Sequence, residues 1–199
     1  MAESSQSRIP SEYLNVGFTD SILCHILSYL PTKDVVCTSI LSRRRQHVWK
    51  DLHFIHMDDM PFWKHYDDEE RHARFDSFVN ATLAQRNADT YHIQKFRLKA
   101  SCSEETISTW LAPVIVPSLQ ELYLELRNVD HYGDAINVPE GIFTCPSLKS
   151  LVLKGYIRVF DGPNVYLPSL KNLDLNIPFV NIHELLSGCP AIENLSLYL

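Results

Sequence analysis

Glycine is scarce in this chain, six in 199 residues, and the loops that cradle phosphate are missing with it. There is no G-x-G-x-x-G, no P-loop and no G-x-S-x-G nucleophile turn. Cysteine is few and unpatterned: positions 24, 37, 102, 145 and 189 form an odd set without a Cys-x-x-Cys pair. Such a set suits free thiols in a reducing compartment, and neither a disulfide framework nor a zinc site. Positive charge is not in excess. A formal net charge of -6 argues against a nucleic-acid-binding surface over the whole chain, because phosphate binding rests on a basic surplus. No apolar run approaches the roughly eighteen residues a membrane helix needs, and the opening MAESSQSRIP is polar where a secretion signal would carry an apolar stretch. The expected location is therefore cytoplasmic, nuclear or both, and no membrane partner is expected. The sequons at Asn80 and Asn194 then carry no sugar, since glycosylation needs the secretory route.

What is present reads as a folded protein: 45% hydrophobic and 21% charged residues are ordinary for a globular chain. Residues 1–14 form a polar tail. In Thr19 to Leu30 the large apolar residues are Ile22, Leu23, Ile26, Leu27 and Leu30, which is one stripe of an amphipathic helix. Thr19 is placed to cap it, Asp20 sits at the positive end of the helix dipole, and Pro31 ends it near Ser28 or Tyr29. Thr32 is placed to cap a second short helix with Val35 and Val36, and Ser42 a third whose inner face offers Val48, Trp49 and Leu52. Three short helices bury little alone and need a partner surface to finish their core.

The order of these residues is more specific than their period. The segments ILSYLPTKDVV (Ile26 to Val36) and TSILSRR (Thr38 to Arg44), followed by Trp49, resemble the F-box of plant F-box/leucine-rich-repeat proteins. Two positions depart from the family pattern: Phe18-Thr19 replaces an opening Leu-Pro, and Arg45 stands where a Trp is usual. The resemblance implies an F-box over 15–53 that docks a Skp-family adaptor and, through it, a cullin-RING ubiquitin ligase. The residues that would carry that docking are Phe18, Ile22, Leu23, Ile26, Leu27, Leu30, Pro31, Val36, Leu41 and Trp49.

After an irregular connector over 54–72, with a short strand at His53 to His56, the run Asp67 to Arg71 precedes a lead-in helix over 73–90. Phe75, Phe78, Val79, Thr82 and Leu83 share one face of that helix. From 91 onward the sequence repeats. Ile93-Gln-Lys-Phe96-Arg-Leu98 and the segments beginning at Leu119, Leu148, Leu170 and Ile192 all follow L-x-x-L-x-L, at steps of 26, 29, 22 and 22, within the leucine-rich-repeat range of about 20–29. Pro117, Pro146, Pro168 and Pro190 stand two positions before each motif from Leu119 on. Proline there ends one segment without taking a donor from the next strand. Val116, Cys145, Leu167 and Cys189 precede those prolines, so the two cysteines read as core residues. Asn181 to Gly188 predicts a short helix with Gly188 as its C-cap, and Pro139 to Phe143 and Asp161 to Asn164 predict turns.

These repeats resemble the irregular ones of the plant F-box/FBD/LRR proteins, with CPSLKSLVL and LLSGCPAIENLSL as the matching phrases. The expected fold is an α/β leucine-rich-repeat solenoid over 91–199 preceded by a small all-α F-box domain. A C-terminal cap is not evident, and the resemblance identifies a short member of the family. Side chains that alternate with the buried leucines would line the concave binding face: Glu121, Tyr123, Glu125, Ser150, Val152, Lys154, Asn172, Asp174 and Asn176.

Catalytic constellations are absent. His183-Glu184-Leu-Leu-Ser187 has the start of a zinc-protease helix, but serine replaces the second histidine. No metal, cofactor or catalytic residue is expected. The leading expectation is a non-catalytic substrate-recognition subunit of a ubiquitin ligase, with a protein target held by the repeats. The alternative is an interaction module whose altered F-box does not bind the adaptor. Nucleic-acid binding through Arg43 to Arg45 is disfavoured, because those residues serve as the solvated side of the third helix.

Overall fold

Strict alternation of apolar and polar residues makes strands, and here the strands assemble in sequence order. The computed structural model describes residues 19–39, 48–62, 68–86, 93–127, 135–159, 164–178 and 181–198. Six strands form one parallel sheet: β1 (Phe54–Asp58), β2 (Lys95–Ser101), β3 (Glu121–Arg127), β5 (Ser150–Gly155), β7 (Asn172–Asn176) and β8 (Asn194–Leu197), in the order β1-β2-β3-β5-β7-β8. A second sheet pairs the two-residue strands β4 (Ile136–Asn137) and β6 (Ile157–Arg158).

The repeat motif sets the register. Leu122, Leu151, Leu173 and Leu195 lie in one row, and Leu124, Leu153, Leu175 and Leu197 in the next. Phe96 and Leu98 of β2 continue both rows, as do Ile55 and Met57 of β1. Each added strand therefore extends the same two apolar ridges, and ridge residues from Ile55 through Leu175 are essentially inaccessible. Leu195 and Leu197 on the edge strand are exposed, since no further strand covers them among the described residues.

Helices close the leucine side of the sheet. Helix α3 (Asp68–Arg86) buries Phe75, Val79 and Leu83, and α4 (Glu104–Leu111) buries Ile107, Trp110 and Leu111, all in the core that holds the leucine ridges. The Phe75 ring meets the Trp110 ring edge-on at 5.7 Å, a favoured aromatic geometry. Ser103 caps α4 by accepting a hydrogen bond from the Thr106 amide at 3.2 Å, an arrangement worth about 1 kcal/mol. Helix α5 (Ile182–Ser187) starts from Asn181, whose side chain accepts from the Glu184 amide.

A small helical head precedes the sheet. Helices α1 (Asp20–Leu27) and α2 (Thr32–Thr38) and a 3-10 turn at Trp49–Asp51 enclose Leu27, Val35, Val48, Trp49 and Leu52. Hydrogen bonds tie the head to the elements that follow it. The Thr32 hydroxyl accepts from the His56 amide at 2.8 Å. Arg86, buried at the end of α3, donates to the Trp49 carbonyl at 3.2 Å and to the Leu52 carbonyl.

Several sequence expectations are corrected here. Thr32 is the first helical residue rather than the cap, a position that Pro31 takes, and its hydroxyl is spent on β1. Thr19 is the N-cap of α1 by position, but its side chain makes no cap bond and lies 3.2 Å from the Ser21 hydroxyl instead. Gly188 is the C-cap of α5, as expected, with a negative φ of -88°. A Cβ there would sit 2.1 Å from the Val165 carbonyl oxygen, so close backbone approach is what requires glycine. The turn expected at Pro139 to Phe143 is a 3-10 helix, Glu140–Thr144. The short strand expected at His53 to His56 at the start of the connector is β1 (Phe54–Asp58), and it pairs with β2 as part of the sheet. Helix α4 and the β4/β6 pair were not anticipated; two-residue strands carry too little periodicity to be read. The tail, Ser42, Arg43 to Arg45 and Asp161 to Pro163 lie outside the described residues.

Candidate functional site

Two surfaces collect the singled-out residues. On the head, the apolar stripe of α1 divides between interior and exterior. Leu27 is buried and Leu23 half-buried against the head cluster, whereas Ile22 is 44% and Ile26 48% exposed. Leu30, just past the helix, and Tyr29 are exposed with them. Pro31 and Val36 are half-buried. Leu27 and Trp49, expected as docking residues, are buried within the head itself. Both pack in the head cluster with Val35, Val48 and Leu52. Phe18 and Leu41 lie outside the described residues. The result is an outward pair, Ile22 and Ile26, on a short helix, with Leu30 exposed just past its end, more apolar side chains than a solvated face needs.

The second surface is the polar face of the sheet, where all nine strand residues expected to face outward do so. They fall into three register rows. The first holds Phe54, Lys95, Glu121, Ser150, Asn172 and Asn194; the second His56, Arg97, Tyr123, Val152, Asp174 and Ser196; the third Asp58, Lys99, Glu125, Lys154 and Asn176. Burial follows the position along the sheet: Glu121, Asn172 and Asn176 are exposed, and Tyr123, Glu125, Ser150, Val152, Lys154 and Asp174 half-buried.

Charges on this face are matched in pairs. Lys95 meets Glu121 at 2.8 Å and Lys99 meets Glu125 at 2.9 Å, each directly across from its partner, and Lys154 reaches Asp174 at 3.0 Å. Cross-strand pairs of this kind each contribute roughly 0.2–1 kcal/mol. At the end of the face the buried Asp59 carboxylate accepts from the Ser101 amide at 2.9 Å and pairs with Arg127. Asp59 was not anticipated as a site residue. An aspartate in an irregular stretch carries no signal of burial, and only pairing of β1 with β2 brings it under Ser101 and Arg127.

Tyr123 is the centre of the face. Its hydroxyl donates to Glu125 at 2.6 Å, and the Arg97 guanidinium lies 4.2 Å from its ring centroid, within cation-π range. Burial and the hydrogen bond to Glu125 push the Tyr123 phenol up to about 12. Burial would raise Glu125 as well, but hydrogen bonds from Tyr123 and Lys99 and the charges of Lys99 and Arg127 hold it below the usual carboxylate value. Burial, with the Arg97 charge beside it, lowers His56. The face therefore presents fixed charges and a neutral phenol, a surface suited to recognition by hydrogen bonds and ion pairs.

The three cysteines of the sheet region, Cys102, Cys145 and Cys189, are buried and free. Burial, reinforced by Asp76 and Asp59, pushes the Cys102 thiol up to about 12, so it is not an activated nucleophile. Among the described residues no helix is long and apolar enough to cross a membrane.

Comparison with known proteins agrees with this division. The family profile described as F-box domain matches residues 7–57, and that described as FBD-associated F-box protein At5g56370, LRR repeats, matches 107–199. The F-box/LRR-repeat protein 13 of Arabidopsis thaliana is 34% identical over 189 residues, covering 89% of this chain and 39% of that protein. The F-box protein At4g09920 of the same plant is 33% identical over 188 residues, covering 90% of the chain and 56% of the relative. The putative F-box/FBD/LRR-repeat protein At4g26350 is 31% identical over 187 residues, covering 89% and 41%. The chain thus spans between about two fifths and somewhat over half of the length of these relatives. No solved structure matches it significantly.

Proposed function

We propose, from the premise that this chain carries the F-box and the FBD-associated leucine-rich repeats of these Arabidopsis relatives, that it is a substrate-recognition subunit of a Skp-cullin-F-box ubiquitin ligase. In this reading the head, over 15–53, docks a Skp-family adaptor. The strands from β1 onward form a leucine-rich-repeat solenoid whose polar face holds a protein target. Residues 54–90 link the two units while contributing the first strand and the lead-in helix. The chain does no chemistry itself; ubiquitin transfer belongs to the rest of the ligase, in the cytoplasm, the nucleus or both.

The observation that carries the proposal is the exposed apolar set of Ile22 and Ile26 on α1 and Leu30 just past it, inside the F-box match. Burying about three such side chains against an adaptor is worth roughly 1.5–3 kcal/mol each. The test is co-purification of the full chain with a Skp-family adaptor. Native binding that an Ile22→Asp, Ile26→Asp variant loses, with thermal unfolding unchanged, supports the proposal, since neither side chain belongs to the head cluster. Binding only after Thr19→Pro and Arg45→Trp restore the family pattern would transfer the reading to an interaction module that does not dock the adaptor.

A further inference from the structure

Between α1 and the first strands of the polar face lies an open cleft of about 1130 Å³. Its walls include Tyr29 just past α1, Lys50, Lys95, Arg97, Glu121 and Tyr123. Three cations face one carboxylate in that set. The one carboxylate is already engaged, because Glu121 pairs with Lys95.

Arg97 stands out within this arrangement. On β2 it lies between Lys95 and Lys99, and those two lysines take the carboxylates of Glu121 and Glu125 on β3. The residue opposite Arg97 is Tyr123. Its ring supports the guanidinium at 4.2 Å but offers no negative charge, so among the described residues Arg97 has no ion pair. Its Nε is buried and has no hydrogen-bond partner. A guanidinium seated over an aromatic ring, with its neighbouring lysines neutralised, can offer its terminal Nη groups to a planar two-oxygen acceptor. The aromatic support also limits the conformational entropy lost on binding.

We infer that this cleft is the anchoring site for an acidic linear segment of the target protein, with an aspartate or glutamate carboxylate received by Arg97 and Lys50 adding charge from the head side. The inference rests on the proposed target-binding role of the polar face and narrows it to one chemistry. It also gives the head a second use: α1 offers Ile22 and Ile26 on its outer side, while Tyr29 walls the cleft.

The experiment is selection of the full-length chain against a random linear peptide library displayed on phage, followed by fluorescence anisotropy of the enriched peptides. Binding is measured to the native chain, to Arg97→Gln and to Arg97→Lys, with circular dichroism showing that both variants fold. The expected result is enrichment in Asp and Glu, with affinity falling about tenfold or more in Arg97→Gln, as for loss of a charge-assisted hydrogen bond. Arg97→Lys is expected to recover only part of that loss, because an ammonium cannot form the two-pronged contact. Enriched peptides without an acidic excess, no enrichment, or acidic peptides that bind Arg97→Gln as well as the native chain would each overturn the inference. Adaptor co-purification of the native chain is scored separately, so failure of the ligase-subunit reading is distinguishable from failure of the cleft.

Discussion

The head and the sheet bury their apolar residues in different ways. In the head, five buried side chains, Leu27, Val35, Val48, Trp49 and Leu52, make one small cluster, and Ile22, Ile26, Tyr29 and Leu30 remain outside it. In the sheet, two leucine ridges run from β1 to β7 without interruption and continue under α3 and α4 as one core. A ridge residue has like neighbours on both flanking strands, so every repeat supports the next. A head residue has neighbours on one side only. The head thus leaves apolar side chains open along α1, whereas the sheet leaves them open only at its β8 edge and carries a pattern of paired charges on its polar face.

The sharpest way to break this comparison is to remove one leucine from each region and follow denaturant unfolding. Leu153→Ala, at an inaccessible ridge position, is expected to cost about 2–5 kcal/mol and to lower the main transition. Leu27→Ala is expected to sit at the low end of that range and to leave the main transition in place, since its cluster is separate. A main transition that moves equally in both variants would show that head and sheet unfold as one unit.

Next in size is Gly155→Ala. Gly155 ends β5 with φ +93°, and a Cβ there would lie 2.1 Å from the Leu126 carbonyl oxygen. That carbonyl accepts from the Tyr156 amide at 3.1 Å, so the clash disturbs the contact of β5 with β3. A loss of about 1–3 kcal/mol is expected from the backbone conformation, read from the denaturation midpoint.

A more local effect tests the junction. Thr32→Val keeps the shape of the side chain but leaves the His56 amide without its acceptor, at a cost of about 1–3 kcal/mol. Hydrogen-deuterium exchange is expected to show faster exchange at His56 with little change along β3 and β5. The gentlest test leaves the chain unmutated. In native labelling with a thiol reagent, exposed Cys37 reacts first and half-buried Cys24 next, while Cys102, Cys145 and Cys189 wait for unfolding. Early reaction of Cys145 would contradict a continuous core.

Much of this was legible in the chain. The period of L-x-x-L-x-L, with its preceding prolines, placed β2, β3, β5, β7 and β8 and the buried state of Cys145 and Cys189. The same pattern is present at Leu52, Ile55 and Met57, but its step of 41 residues to Ile93 is too long for a repeat, so the short strand legible there does not announce itself as a member of the repeat sheet. In α1 the five-residue apolar stripe was legible, but not its division into inner Leu27 and outer Ile22 and Ile26. Both halves are equally apolar, and only the position of Trp49 and Val35 decides which is covered.

What the sequence by itself determined is the alternation of side chains across each strand and the identity of the ridge residues, because both follow from backbone geometry that reaches only a few residues. Tertiary structure alone decided which charges meet. Lys95, Arg97 and Lys99 are equivalent in the sequence, each a cation on the same face of β2. Parallel pairing with β3 sets Glu121, Tyr123 and Glu125 against them, which neutralises the outer two and leaves Arg97 on an aromatic ring. A one-residue slip of that register would have put leucines in their place, since side chains alternate from face to face.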